Sequence, residues 1–142
     1  MRGLFLDTNV IIDVLANRLP HVASAAQLFD LAVKGRVTLY VSALSYSTIY
    51  YIIRKGISHK QMVAILEGLE AVTETVDVTK AIIAKSLQSD FKDFEDAIQY
   101  NVALSNKKIS AIVTRDPKGY RSSELTVLTP DEALTILTSA RS

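Results

Sequence analysis

Apolar residues first gather at Gly3-Leu4-Phe5-Leu6 with no polar position among them, then recur at helical spacing through Val10, Ile11 and Ile12. A short run without alternation is the pattern of a strand covered on both faces, as in the middle of a parallel sheet. It delivers Asp7 at its carboxyl end, where Thr8 and Asn9 suit the cap of a helix running from about Val10 to Leu15. After Pro20 a second helical period extends from Ala23 to Lys34, with Gly35 where a C-cap belongs. Thr38 to Val41 reads as a strand, and Ser42 opens a helix that carries Leu44, Ile49, Ile52 and Ile53 and ends near Arg54-Lys55-Gly56.

Ser58 opens a further helix with Met62, Ile65, Leu66 and Leu69 on one face, and Val72 to Val78 has strand character. Thr79 caps a helix through Ile82, Ile83 and Leu87, and another starts at about Asp93 with Ala97, Ile98, Val102 and Ala103 inward. Ala111 to Thr114 is a buried strand, Arg115 to Glu124 a polar loop punctuated by Pro117 and Gly119, and Val127-Leu128 a last strand. Thr129-Pro130-Asp131-Glu132 is a capping box that opens the terminal helix. Helices separate most strands, which predicts an α/β domain with a central, mainly parallel sheet spanning residues 1–142 as one unit.

Length agrees, since 142 residues bury enough surface for a single core without staples. The absence of Cys removes disulfides, thiolate catalysis and zinc–thiolate sites, and is compatible with a reducing cytoplasm, where the chain is expected. His21 and His59 stand apart and form no metal pattern. A net charge of +1 forces no nucleic-acid or membrane partner, so such affinity has to come from local clustering. The uncharged stretch from Val37 to Ile53 is interrupted by Thr and Ser residues and reads as a strand joined to a helix, so no membrane span is expected.

Three acidic places share the carboxyl end of the expected sheet. Asp7 ends the first strand, Asp116 follows the strand that closes at Thr114, and Asp93 and Asp96 lie three apart on one helical face. Each has an ordinary role as a cap, a first-turn acid or a turn starter. Held together at about 4 Å and an effective dielectric of 20, like charges repel by about 4 kcal/mol, and a divalent cation relieves that. Oxygen-only ligation suits Mg²⁺ or Mn²⁺, with Asp7, Asp96 and Asp116 as ligands, and hydrolysis of a phosphodiester is the chemistry such a site supports.

Leu4-Phe5-Leu6-Asp7-Thr8-Asn9, Val41-Ser42 opening a helix, Asp93-Phe94-Glu95-Asp96-Ala97-Ile98 and Ile112-Val113-Thr114-Arg115-Asp116, in that order, resemble the PIN-domain family, which includes the VapC-type toxin ribonucleases. The resemblance implies a three-layer α/β/α domain and metal-dependent cleavage of single-stranded RNA. It carries the acidic ligands onto Asp7, Asp96 and Asp116, with Asp93 beside them, and supporting polar positions onto Asn9 and Thr114. It also implies a homodimer and a small antitoxin protein as partners. One position departs: where the family has Glu on the helix after the second strand, this chain has Thr48, a weaker neutral ligand.

Around Asp116 the residues Arg115, Lys118 and Arg121 are expected to contact RNA phosphates, with Tyr120 among them and Lys107-Lys108 upstream more in keeping with a solvated helix end. Tyr46, Tyr50 and Tyr51 sit beside Ile49, Ile52 and Ile53, a set better suited to a core or a dimer interface than to base stacking. Two other readings compete. A phosphoaspartyl enzyme of the haloacid-dehalogenase type wants Asp at position 9, where Asn9 stands, and a receiver domain wants its acid after a later strand. A PIN-like module that binds RNA or a protein without cutting is the stronger rival, because of Thr48.

Overall fold

The computed structural model describes residues 2–120 and 123–139. Strand β1 (Gly3–Leu6) lies in the middle of a five-stranded sheet, paired on one side with β2 (Thr38–Ser42) and on the other with β4 (Ala111–Val113). The edges are β3 (Glu74–Val76) beside β2 and β5 (Thr126–Leu128) beside β4. All four pairings are parallel and the order is β3-β2-β1-β4-β5, so the chain reverses direction across the sheet between β1 and β4.

Period-two side-chain alternation divides the apolar residues between two cores. Leu4, Leu6, Leu39, Val41, Ala111 and Val113 face one layer, formed by α1 (Thr8–Leu15), α2 (Val22–Val33), α3 (Ala43–Ile53), α4 (His59–Val72) and α7 (Pro130–Ser139). Phe5, Tyr40 and Ile112 face the other, built on α5 (Lys80–Leu87) and α6 (Phe94–Leu104). The expected three-layer α/β/α arrangement is therefore present, and β1 is sealed on both faces because both are covered by helices.

Capping residues set most helix starts where the sequence marks them. Ser42 accepts from the Leu44 N–H at 3.1 Å, Thr79 from Ile82 at 3.2 Å, and Ser58 with Gln61 and Thr129 with Glu132 each make reciprocal bonds. Gly35 takes φ +75°, and bonds from its own N–H to Ala32 and from Arg36 to Leu31 close α2 in a Schellman motif.

Three local expectations are corrected. The first helix begins at Thr8 rather than Val10, with Asp7 as its N-cap residue, so Thr8 and Asn9 are first-turn residues and not caps. Helix α4 continues through Val72 and leaves only Glu74–Val76 as strand, the Thr73 hydroxyl donating back to the Leu69 carbonyl at the helix end. The polar segment after β4 contains a 3₁₀ turn, Pro117–Tyr120, which drives Tyr120 into the second core.

The uncharged stretch divides into β2 and α3, and among the described residues no helix is long and apolar enough to cross a membrane. Of the three tyrosines on α3, Tyr46 and Tyr50 pack against the first core and hydrogen-bond Thr75 and His59. Tyr51, 66% exposed, forms an outward apolar face with Leu44 and Ile52.

Candidate active site

The reversal between β1 and β4 leaves a crevice at the carboxyl ends of these two strands, the position at which open α/β sheets bind ligands. Asp7 stands there because its N–H continues the β1–β4 ladder to the Val113 carbonyl at 2.9 Å, while its φ and ψ of −63° and 148° turn the chain into α1. Its carboxylate does not cap that helix. It accepts instead from the buried Thr114 hydroxyl at 2.8 Å, and the Asp116 N–H donates to the same hydroxyl at 3.2 Å. Thr114 thus ties the first acid to the backbone of another.

Burial raises the pKa of Asp7, and the hydrogen bond from Thr114 pulls it back, with the neighbouring Gln99 side chain and Thr8 backbone acting in the same direction. Tyr120 acts in the same direction, although its buried hydroxyl lies off hydrogen-bond geometry. The Tyr120 hydroxyl is itself held firmly protonated, by burial first and then by the charges of Asp7 and Asp96. It is a neutral hydroxyl in the floor of an acidic site.

Asp96, in the first turn of α6, is pushed up to about 7, by burial first and then by the charges of Asp7, Asp93, Glu95 and Asp116. Four carboxylates from three segments therefore act on a fifth. Glu95 is raised as well, by burial and then by Asp7 and Asp93, which adds an acid that the sequence pattern had not singled out. Asp93 is exposed and is the N-cap of α6, its Oδ1 accepting from the Glu95 N–H at 2.9 Å, so only its other oxygen is uncommitted. Gly119 lies against Asp96 so closely that a Cβ there would stand 2.5 Å from Asp96 Oδ2. Among the described residues, no group of three or more acid or histidine side chains is arranged to hold a metal ion as it stands. Asp7, Asp93, Asp96 and Asp116 are neighbours in charge more than a closed coordination shell.

The other expected residues separate. Asn9 is exposed and makes no side-chain hydrogen bond among the described residues, because the earlier start of α1 turns Thr8 inward in its place. Thr8 Oγ1 meets Ser45 Oγ at 2.9 Å and accepts from Gln99 Nε2 at 3.0 Å, a buried polar knot under Asp7. Thr48 is half-buried on α3 and makes no side-chain hydrogen bond among the described residues, and Ser45, a turn earlier, supplies a polar contact from that helix to the floor of the site.

Arg115 turns toward Asp13 on α1, with Nε 2.7 Å from Oδ2. The N–H is not aligned for a hydrogen bond and both Asp13 oxygens are otherwise unpartnered, so the contact is a charge pair. That commits one edge of the guanidinium and narrows the expected phosphate contact to the rest of it. Lys118 is exposed on the 3₁₀ turn and lines a cavity of about 390 Å³ that also opens on Asp96. Arg121 lies outside the described residues.

Gln99, Ser45 and Asp13 went unrecognised in the sequence. Gln99 follows Asp96 by three and interrupts an inward face of Ala97, Ile98, Val102 and Ala103, a polar residue in an apolar stripe that marked a buried polar contact. Asp13, directly after Val10-Ile11-Ile12, carried the same kind of signal.

An open, doubly wound α/β domain with carboxylates gathered at its switch point is the class these features define. Within that class, a sequence model of the PIN domain matches residues 3–118, and the chain belongs to the PIN-domain family. A curated relative, Ribonuclease VapC1 of Aquifex aeolicus (strain VF5), is 26% identical over 134 residues, 91% of each chain. The fold is similar to that of VapBC2 from Rickettsia felis bound to a promoter DNA fragment, with TM-score 0.66, 16% identity and coverage of 89% of this chain and 96% of that one. It is also similar to Mycobacterium tuberculosis VapC20, described as a Sarcin-Ricin loop cleaving toxin, with TM-score 0.65, 17% identity and coverage of 84% and 94%.

Proposed function

We propose that the protein is an endoribonuclease that hydrolyses phosphodiester bonds of single-stranded RNA with the help of a divalent cation, and that it is the toxin of a toxin–antitoxin pair. The observation that carries this is the electrostatics of Asp96, whose pKa is pushed up to about 7 by burial and then by the charges of Asp7, Asp93, Glu95 and Asp116. A carboxylate raised by burial and then by its acidic neighbours sits in a place where its ionised form is disfavoured, and a cation joining the group would relieve that. The relation to Ribonuclease VapC1 supports nuclease chemistry, and the likeness to the VapBC2 complex supports a protein antitoxin.

The donor set is oxygen only, which fits Mg²⁺ or Mn²⁺. Asp7, Asp96 and Asp116 would hold the ion, with the free oxygen of Asp93 close by. The ion would supply Lewis-acid stabilisation of phosphate charge and a lowered pKa for water at neutral pH. This chain's own residues do the rest. Thr114 holds the Asp7 carboxylate in one orientation, and Gln99 fixes Thr8 and Ser45 beneath it. Tyr120 keeps its proton beside Asp7. Lys118, and the part of Arg115 turned away from Asp13, would take substrate phosphates, their side chains being accessible next to Asp96 and Asp116. The outward face of Leu44, Tyr51 and Ile52 is the apolar surface available to a homodimer.

Thr48 favours a second reading, a PIN-like module that binds RNA or a protein without cutting, since a neutral side chain there removes one carboxylate from the site. One experiment separates them: purified protein is incubated with single-stranded RNA in Mn²⁺ and in EDTA. Cleavage in Mn²⁺ that EDTA abolishes, and that Asp7→Asn removes, is the expected result. RNA that is bound and left intact in Mn²⁺ would establish the second reading.

A further inference from the structure

The cavity beside Asp96 has a makeup that phosphodiester hydrolysis alone does not require. Its volume, about 390 Å³, is in the range of small-ligand pockets. One wall is Phe91, half-buried and braced by Tyr100 at 5.1 Å and by the edge of Tyr120 at 6.1 Å, so that its ring is held still where it lines the cavity. Lys92 from the loop before α6 and Lys118 from the 3₁₀ turn line it too, and among the described residues neither makes an ion pair. The exposed Asp90 lies at the same rim without a hydrogen bond among the described residues.

A fixed aromatic wall with mobile cations is how unpaired bases and their phosphates are taken up. The hydrogen-bonding groups are more selective. A carboxylate beside an ammonium complements an edge that offers two adjacent N–H donors next to a carbonyl. Among the four RNA bases only guanine has that edge, with N1–H and N2–H for the carboxylate and O6 for the lysine. Uracil has one donor between two acceptors, and adenine and cytosine offer a single amino group next to a ring acceptor.

We infer that this cavity is a base subsite which takes a guanine adjacent to the cleaved phosphodiester. Phe91 packs on the base, Asp90 and Lys92 read its edge, and Lys118 holds the phosphate between base and acids. The inference rests on the nuclease reading above, and its failure is distinguishable from the failure of that reading.

The test has two arms. Cleavage sites of the parent protein are mapped on random-sequence single-stranded RNA in Mn²⁺. Binding of the uncut RNA is then measured with Asp7→Asn protein, using short oligonucleotides that carry guanine, inosine, adenine, cytosine, uracil or an abasic residue at the mapped position. Cuts should cluster beside guanine. Guanine should bind at least about tenfold tighter than adenine, cytosine or uracil, and inosine, which lacks the N2 amine, should fall between. Asp90→Asn should erase the guanine preference, and Phe91→Leu should weaken all bases alike. If Phe91→Leu fails to fold, the variants at the exposed Asp90 and Lys92 still decide between the outcomes. Cutting without base preference, or a guanine preference that Asp90→Asn and Lys92→Ala leave intact, overturns the subsite while the nuclease reading stands. Protein that neither cuts nor binds RNA overturns both.

Discussion

The charge pair between Asp13 and Arg115 predicts an asymmetry that few other contacts in the molecule share. The Asp13 side chain is 1% exposed and the Arg115 side chain 30% exposed, with Nε and Oδ2 2.7 Å apart. Removing Arg115 leaves a carboxylate on the buried face of α1 with no hydrogen-bond donor among the described residues, and an uncompensated buried charge of this kind typically costs about 3–5 kcal/mol. Removing Asp13 leaves a guanidinium that already reaches solvent and can swing further out, so the loss is nearer that of one ordinary contact, about 1–2 kcal/mol. Replacing both by Leu and Met should come back close to the parent, because a well-packed apolar pair of similar volume avoids both desolvation penalties.

Against a domain stability of about 5–15 kcal/mol, Arg115→Ala would remove about a fifth or more, whereas Asp13→Ala would be tolerated. At an m-value of about 2 kcal/mol/M, the first variant should lower the urea midpoint by about 1.5–2.5 M and the second by less than about 1 M. Equal shifts, or a larger one for Asp13→Ala, would refute the asymmetry and mean that the pair's strength lies in the aspartate's shape and not in its charge.

Three further outcomes follow from the acids. Because the Asp96 pKa rises from an unfolded value of about 3.9 to about 7, the folded chain binds more protons than the unfolded one between these limits; stability in EDTA should therefore climb as pH falls from 7.5 to 5, and Asp96→Asn should flatten the rise, as thermal melts across that range will show. Thr48→Glu should tighten Mn²⁺ binding by about tenfold, or about 1.4 kcal/mol, and make the melting temperature more sensitive to EDTA; unchanged calorimetric affinity would mean that position 48 does not reach the acids. Gly119→Ala puts a methyl group 2.5 Å from Asp96 Oδ2, which the carboxylate can escape by rotating, so Mn²⁺-dependent cleavage should fall by about tenfold or more with the melting temperature nearly unchanged, and full activity in that variant would contradict the closeness of the two residues.

The parts of the molecule legible in the sequence are those fixed by local chemistry. Gly3–Leu6, Ser42, Ser58, Thr79 and Thr129 announce a central strand and four helix starts through burial pattern and capping alone. Asp7, Thr114 and Asp116 share a strand-end crevice because each follows β1 or β4, so their meeting was implicit in the α/β alternation. What the sequence withheld depends on one residue's place relative to another far along the chain. That Thr8 is buried and Asn9 exposed turns on a helix start two residues earlier than its caps suggested. That Arg115 serves Asp13 depends on α1 passing the segment after β4, which no spacing encodes.

Two kinds of polar burial therefore meet at the carboxyl edge, and they differ in how they are balanced. Beneath the edge, Thr8, Ser45 and Gln99 satisfy one another as neutral groups, and Thr114 donates a hydrogen bond to Asp7 and accepts one from the Asp116 N–H. Such a knot costs little and holds geometry, because a satisfied polar network in a dry core has few alternative arrangements. Above it, burial raises Asp7, and burial and then neighbouring charge raise Asp96, with no basic side chain among the causes given for either. The nearest arginine in sequence, Arg115, is paired with Asp13 and not with Asp116 beside it. If stability alone had shaped this edge, a cation from the chain would pair with the carboxylates, since the Coulomb gain of a contact at about 4 Å is about 4 kcal/mol at an effective dielectric of about 20. Among the described residues no ion pair joins Asp7, Asp96 or Asp116, and the floor beneath them holds the Asp7 carboxylate still. On the reading proposed above, a cation brought from solution would meet that combination.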